Sequence, residues 1–417
     1  MEFFINKKVF GSPFNIICKD NGEIVKTDEH PTDILDASSK EAWLLSKLFG
    51  FDLPRFPPKK FVRSMEHVTP IKEDMPWFSI LPENVYKKEV KKFIGRLQDS
   101  FGTFDFSYYR DSYCKHTPLF EALRPAKVNT NIFLENLDKN FGDHDSIKTF
   151  VPENGFTAKP YYDRFGTITG RLKIAKGPNI LNLKKDYRHM LESRFGKNGK
   201  IYYLDYSSLE PRTILSINGK KNIPQDVYTH ILNEIGLKNV SRAAIKISVL
   251  SKIYGSSDAA IIKQLKGVVD YPEDLINMVT DYFGIEQLKQ NVSQEYFKSD
   301  GRFIKNYYGR YIQGEEIPPY RLLNYYIQST AVDIALTGFT NIINRVKLAG
   351  LENYVVPIFL LHDAIFFDIH NDYEYLVPKL CKAASVNING LEETNFYLKV
   401  ESKWFIDENN RVMIVED

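Results

Sequence analysis

The stretch L-D-Y-S-S-L-E-P-R, Leu204 to Arg212, follows directly on the apolar-aromatic residues Ile201, Tyr202 and Tyr203. An ordinary strand end has this appearance. By itself the stretch leaves open whether Asp205 is a surface aspartate or a ligand, and why a second carboxylate, Glu210, stands five residues on. The rest of the chain decides.

Farther along, VVPIFLLHDAIFFDIH (Val355 to His370) reads as two apolar strands flanking a His-Asp turn, which leaves His362 and Asp363 at the tip of a hairpin. If that hairpin and the strand before Asp205 share a sheet, Asp205 and Asp363 converge at its edge. Paired carboxylates on a rigid sheet suit hard divalent ions such as Mg²⁺, with waters and substrate phosphates completing the octahedron. Two such ions about 3.5–4 Å apart can activate an attacking oxygen and stabilise a leaving one in phosphoryl transfer. Taken singly, each Asp is more often a cap or turn residue, and a bare His-Asp dipeptide is weak evidence.

Two helices follow from periodicity. In SRAAIKISVLSKIYGSS (Ser241 to Ser257), Arg242, Lys246, Leu250 and Tyr254 recur every fourth residue and form one stripe. Two cations, an apolar side chain and an aromatic ring match phosphates, sugar and base in order, although an amphipathic helix with a solvated basic edge has the same pattern. In YRLLNYYIQSTAVDIALTGF (Tyr320 to Phe339), Asn324 and Gln328 share a face. Amides that satisfy one another and amides facing a nucleic-acid minor groove both fit that spacing.

The 417 residues suffice for two or three domains or one multi-lobed enzyme, and a 43% hydrophobic fraction argues against disorder over most of the length. With 55 Lys and Arg against 53 Asp and Glu, the net charge of +2 advertises no polyanionic partner, so any nucleic-acid surface must be a local basic stripe. Cys18, Cys114 and Cys381 are far apart without a CxxC pair, which predicts reduced buried thiols and neither a disulfide framework nor a zinc knuckle. No secretory leader and no long apolar run is present, which predicts a soluble, intracellular (cytoplasmic) protein without membrane contact. Residues 1–83 carry no interpretable motif. Within them, DLPRFPPKKF (Asp52 to Phe61) reads as a linker or extended arm. Asn84 to Phe101 reads as a helix with a solvated lysine face.

In this order, the segments resemble the family A DNA polymerases, the group of bacterial DNA polymerase I and its phage and mitochondrial relatives. DYSSLEPR is similar to the first palm motif, RAAIK with Tyr254-Gly255 to the fingers-helix motif, and HDA to the third motif, usually HDE. TGRL with PNILN upstream, N-x-x-x-Q-S-T-A-x-D in the second helix, DGRFIKNYYGRYI before it and VESKW near the C-terminus also resemble that family. The resemblance spans about Phe156 to Trp404.

The resemblance implies an α+β right-hand fold with an antiparallel palm sheet, helical fingers and a reduced thumb. It would divide the chain into 1–83 of unknown role, a thumb-like 84–155, a palm of 156–225 and 318–417, and fingers of 226–317. It also implies that Asp205 and Asp363 hold two Mg²⁺ ions, for which Mn²⁺ could substitute, with the Tyr206 carbonyl as a further ligand. Glu210 would exclude a ribose 2′-OH. Arg242 and Lys246 would bind the incoming dNTP triphosphate, Leu250 would face the sugar, and Tyr254 would stack near the templating base. Arg171, Asn182, Asn324 and Gln328 would contact primer–template DNA, and His362 the primer terminus. No Asp-x-Glu opening of a proofreading exonuclease precedes TGRL, which implies no proofreading in this chain; a phage-encoded form in a bacterial host and a separate exonuclease or processivity factor are compatible with the resemblance, which fixes neither.

The chain departs from the family pattern at several positions. Ala364 replaces Glu, Tyr228 stands where a triphosphate-contacting His is common, Leu250 replaces an aromatic residue, and Leu181 replaces Gln. A single-subunit RNA polymerase shares the palm but carries a small residue at the Glu210 position. A metal-dependent phosphohydrolase built on His362-Asp363 would need further ligands among the 8 histidines.

Overall fold

The computed structural model describes residues 3–5, 15–19, 23–27, 35–36, 81–100, 108–139, 141–164, 166–236, 240–313, 317–386, 388 and 396–416. The chain divides into two compact units, Met1–Cys114 and Lys115–Asp417, a boundary inside the 84–155 segment. In the first unit, β1 (Phe3–Ile5), β2 (Asn15–Cys18), β3 (Ile24–Thr27) and β4 (Leu35–Asp36) form a sheet of order β3-β2-β1-β4. Helix α1 (Glu83–Ser100) follows, with Lys87, Lys88, Lys91 and Lys92 exposed, as the lysine spacing predicts. The expected arm at Asp52–Phe61 lies outside the described residues. Cys114 and Cys381 are half-buried, less enclosed than expected.

The second unit is built around a five-stranded antiparallel sheet. Its strands are β5 (Gly199–Tyr206), β6 (Val355–Leu361), β7 (Ala364–His370), β8 (Leu398–Ile406) and β9 (Val412–Glu416), in the order β6-β7-β5-β8-β9. The sheet's two faces are buried differently along β5. Tyr202, Leu204 and Tyr206 join one apolar cluster with Ile334, Phe339 and Ile342, whereas Ile201 joins another with Phe366 and Trp404. A strand covered on both faces is apolar at nearly every position, which explains the run before Asp205.

Helices α2 (Leu209–Ile217), α3 (Val227–Ile235), α4 (Arg242–Ile253), α5 (Asp258–Leu265), α6 (Pro272–Phe283) and α7 (Ile285–Lys298) fill the segment after β5. The 30-residue helix α8 (Pro319–Leu348) then packs on the sheet. Gly338 lets it do so closely, because a Cβ there would strike the Tyr206 hydroxyl. That hydroxyl donates to the Ala384 carbonyl at 2.7 Å. Phe339, fully buried, packs its ring 5.6 Å from Tyr206, and burial of such a side chain contributes about 1.5–3 kcal/mol. Helix α4 ends at Tyr254, and Gly255 follows at φ +79, with no room for a Cβ against the Tyr320 carbonyl of α8.

Candidate active site

Strand register brings the two aspartates together. Ala364 pairs with Asp205 across β7–β5, so Asp363, one residue earlier at the hairpin tip, stands beside the end of β5. The Tyr206 N–H donates to the Asp363 carbonyl at 3.2 Å, tying the tip to the strand end. Leu361 pairs with Ala364, leaving His362 and Asp363 as the two-residue turn that the sequence predicts. His362 takes φ 56, and Ser208, three residues after Asp205, takes φ 52. Among the described residues the other non-glycine positions with positive φ are Asn or Asp, which tolerate it. Both positions thus lie beside the two aspartates, and Ser208 is the one residue of this set outside the types that favour such a backbone.

Electrostatics single out the same pair. Burial, then the Asp363 charge, push the Asp205 carboxyl from its ordinary 3.8 up to about 8. Burial raises Asp363 as well, and Arg171 opposes that shift. Two adjoining carboxylates whose ionisation is opposed by burial and by each other suit a divalent cation, because its positive charge favours the doubly ionised pair. Among the described residues no group of three or more His, Cys, Asp or Glu that could hold a metal ion occurs.

Beside the pair, a pocket is lined by Arg171, Glu210, Gln328, His362 and Asp363 with apolar residues of α2 and α8. Glu210, in the first turn of α2, accepts from the Arg171 guanidinium at 3.0 Å. Burial raises the Glu210 carboxyl, while the Tyr254 hydroxyl and Arg171 bind it and pull the other way. Arg171, Glu210 and Tyr254, which the sequence suggests for separate tasks, form one cluster. Partial burial and the Arg171 charge hold the His362 imidazole below its ordinary 6.5, so it is neutral at pH 7.

Helix α4 faces outward with the expected stripe. Ala244, Ile245, Ser248, Val249 and Ile253 are buried, Arg242 and Lys246 are exposed, and Leu250 is half-buried. The Ser241 side chain caps the helix by accepting from the Ala244 N–H. Arg242 is already engaged. Its Nε donates to the Asp226 carboxylate at 2.9 Å, and its guanidinium lies 5.3 Å over the Tyr228 ring. Burial would raise Asp226, but Arg242 and Thr229 hold it at about 2. Tyr228 is 4% exposed, its ring face covered by Arg242.

The amides on α8 pair with each other: Gln328 donates to Asn324 at 3.3 Å and accepts from Thr169 at 3.2 Å. Asn182 is exposed on the loop after TGRL. Sequence reasoning misses Arg212, fully buried, which donates to the carbonyls of Ser207, Ile223, Pro224 and Gln225. It thereby fastens the loop after Asp205 to the loop that presents Asp226. It also misses the buried pair of Arg310 with Asp333, 3.1 Å apart, where Asn306 donates to the same carboxylate at 2.7 Å. The Arg310 side chain packs against Gly170, next to Arg171. The signal available was position alone: an Arg two residues after Glu210, and an Asp five after Gln328.

No protein-family model and no curated protein matches the chain. A solved structure does match: the POL domain of Pol1 from M. smegmatis, in complex with DNA primer-template and dNTP. The match covers 100% of this chain and 95% of that one, with a TM-score of 0.62 and 13% identity. Among the described residues no helix is long and apolar enough to cross a membrane. The chain therefore carries the fold of a bacterial Pol1 polymerase domain, the fold its motifs predict.

Proposed function

We propose that the chain is a template-directed DNA polymerase that extends a primer 3′-OH with deoxynucleotides and releases pyrophosphate. The observation that carries this reading is the convergence of Asp205 and Asp363 at one sheet edge, beside Glu210 and the Arg171 cluster. The sheet acts as a palm, the helices α3 to α7 as fingers, and the chain before it as a reduced thumb. Asp205, Asp363 and the Tyr206 carbonyl would hold two Mg²⁺ ions, which when bound polarise the primer hydroxyl and the triphosphate oxygens.

The remaining tasks fall to side chains. Arg242 exchanges Asp226 for the triphosphate, and Lys246, on the same exposed face, contributes a second cation. Glu210, fixed by Arg171 and Tyr254, closes the space beside the sugar, so a ribose 2′-OH meets an immobile carboxylate. Leu250 faces the sugar without offering a hydrogen bond, and Tyr254 stacks near the templating base. Asn182, Asn324 and Gln328 meet the minor groove, the last two by exchanging their mutual bond for base acceptors. Neutral His362 stands at the primer terminus.

The test is primer extension by the purified full chain with Mg²⁺, comparing dNTPs with rNTPs. Template-dependent elongation with dNTPs supports the reading; preference for rNTPs, or no elongation by protein that binds primer–template, overturns it.

A further inference from the structure

Asp205 has two cross-strand neighbours of opposite character. Ala364 on β7 offers a methyl group, and Lys399 on β8 an ammonium. Directly opposed residues in an antiparallel ladder present their side chains on one face, with Cβ atoms about 4.5–5.5 Å apart. Lys399 therefore rises from the same face as the carboxylate. Unrestrained, it would pair with Asp205 and take the place of a cation. It is restrained instead, because its Nζ lies 2.9 Å from Oε2 of Glu401.

A bulge lies at that contact. β8 slips against β5 between Val400 and Ser402, so Glu401 is the extra, unopposed residue and its side chain is free to lean back over the Asp205 end of the sheet. The two side chains are 39% and 37% exposed, open enough to rearrange. Burial and the Asp363 charge raise the Asp205 carboxyl most; of the two β8 charges, Glu401 adds to that rise and Lys399 opposes it. Since Ala364 carries no charge, the charge facing Asp205 across the ladder comes from β8.

We propose that Lys399 and Glu401 form a counter-charge pair that sets the affinity of the Asp205–Asp363 site for divalent cations, with Glu401 holding Lys399 away from Asp205. This rests on the reading of the two aspartates as the metal site. Both residues are positioning residues, and their removal acts in opposite directions. Lys399→Met removes the competing cation and frees Glu401 toward the ion, so binding tightens. Glu401→Gln releases Lys399 onto Asp205, so binding weakens. The double variant returns close to wild type, and Lys399→Arg, which keeps the charge, stays there.

The measurement is Mn²⁺ alone titrated into the full chain, with free ion counted by electron paramagnetic resonance and without DNA or nucleotide. Each single variant should shift the dissociation constant about threefold or more, in opposite directions, at an effective dielectric suited to a half-exposed site. Unchanged melting temperatures show that folding is intact, and Glu401→Gln with Lys399→Arg keeps the test usable if Lys399→Met folds poorly. Shifts in the same direction, or none beyond twofold, overturn the proposal. Asp205→Asn separates the two levels: if it leaves Mn²⁺ binding unchanged, the metal-site reading itself fails. If it abolishes binding while the Lys399 and Glu401 variants stay at wild type, only the counter-charge role fails.

Discussion

The two ends of the site are held by different means. Asp205 and Asp363 are fixed by backbone: one sits in a central strand, the other at a hairpin tip tied to it, and a one-residue slip would turn the carboxylates to the wrong face. Arg242 and Lys246 stand exposed on a helix, and Arg242 is held by Asp226 in an ion pair whose side chains are 51% and 46% exposed. Pairs that open contribute about 0–1 kcal/mol. The carboxylate end is thus preorganised, while the cationic end rests on a contact that a triphosphate can replace at small cost. Substitutions should therefore be felt in that order.

The largest effect belongs to the sheet end. If the pair holds the metal ions as proposed, Asp205→Asn or Asp363→Asn should lower single-nucleotide extension at least about a thousandfold, because one carboxylate alone would not hold the charge that phosphoryl transfer requires. Primer–template affinity should change by less than about twofold, since phosphate contacts with basic residues supply most of it. Near-normal extension by either variant would break the contrast, because the site would then not depend on the register-fixed pair.

Between the two ends stands Glu210, which belongs to both through Arg171 and Tyr254. Glu210→Ala releases Arg171 and, on the proposed reading, opens the space beside the sugar. The ratio of ribonucleotide to deoxynucleotide insertion should rise by about tenfold or more, read from single-turnover insertion of matched substrates. An unchanged ratio removes the selecting role and leaves Glu210 as a structural anchor for Arg171.

How much of this was legible depends on whether a feature is local. Apolar runs ending in Asp205 and Asp363, and the fourfold spacing of Arg242, Lys246, Leu250 and Tyr254, are local patterns that the sheet and α4 reproduce. The pairing of Asn324 with Gln328 was one of the two outcomes their spacing allowed. Non-local burial was not legible: nothing near Arg212 announces that it will be enclosed by carbonyls from another loop, nor that Arg310 will find Asp333. The β8 bulge escapes a sequence reading too, because an extra residue in a strand leaves no mark on composition. That the Tyr228 ring would lie under the Arg242 guanidinium was not legible either, since the two are fourteen residues apart in sequence.

The helix end is sharpened by Asp226→Asn. Asparagine still caps α3, so the Thr229 N–H keeps an acceptor, but the charge that engages Arg242 is gone. Apparent dNTP affinity in the primer–template complex should tighten about two- to fivefold, in keeping with a half-exposed ion pair. Weaker binding would mean that Asp226 aims Arg242 instead of occupying it, and the cationic end would then be preorganised too.

The smallest effect is on stability and concerns Asp205 without metal. Burial and the neighbouring Asp363 raise its carboxyl to about 8 from 3.8, so the folded chain holds that proton more tightly than the unfolded chain does. Protonation therefore stabilises the fold. The contribution is fully present below about pH 3.8 and is lost as pH rises through about 8. Asp363 shifts in the same direction, and the two release their protons as a coupled pair. Asp205→Asn has no charge to bury, so its melting temperature should match wild type in mild acid and exceed it by a few degrees in mild alkali, in chelator. Mg²⁺ should close that gap by raising the wild type alone, because the ion takes over what the proton supplied. Differential scanning calorimetry of both proteins across this range, with and without Mg²⁺, reads the difference directly. Parallel curves would mean that Asp205 ionises without penalty, and the sheet end would then be as open to solvent as the Arg242–Asp226 pair.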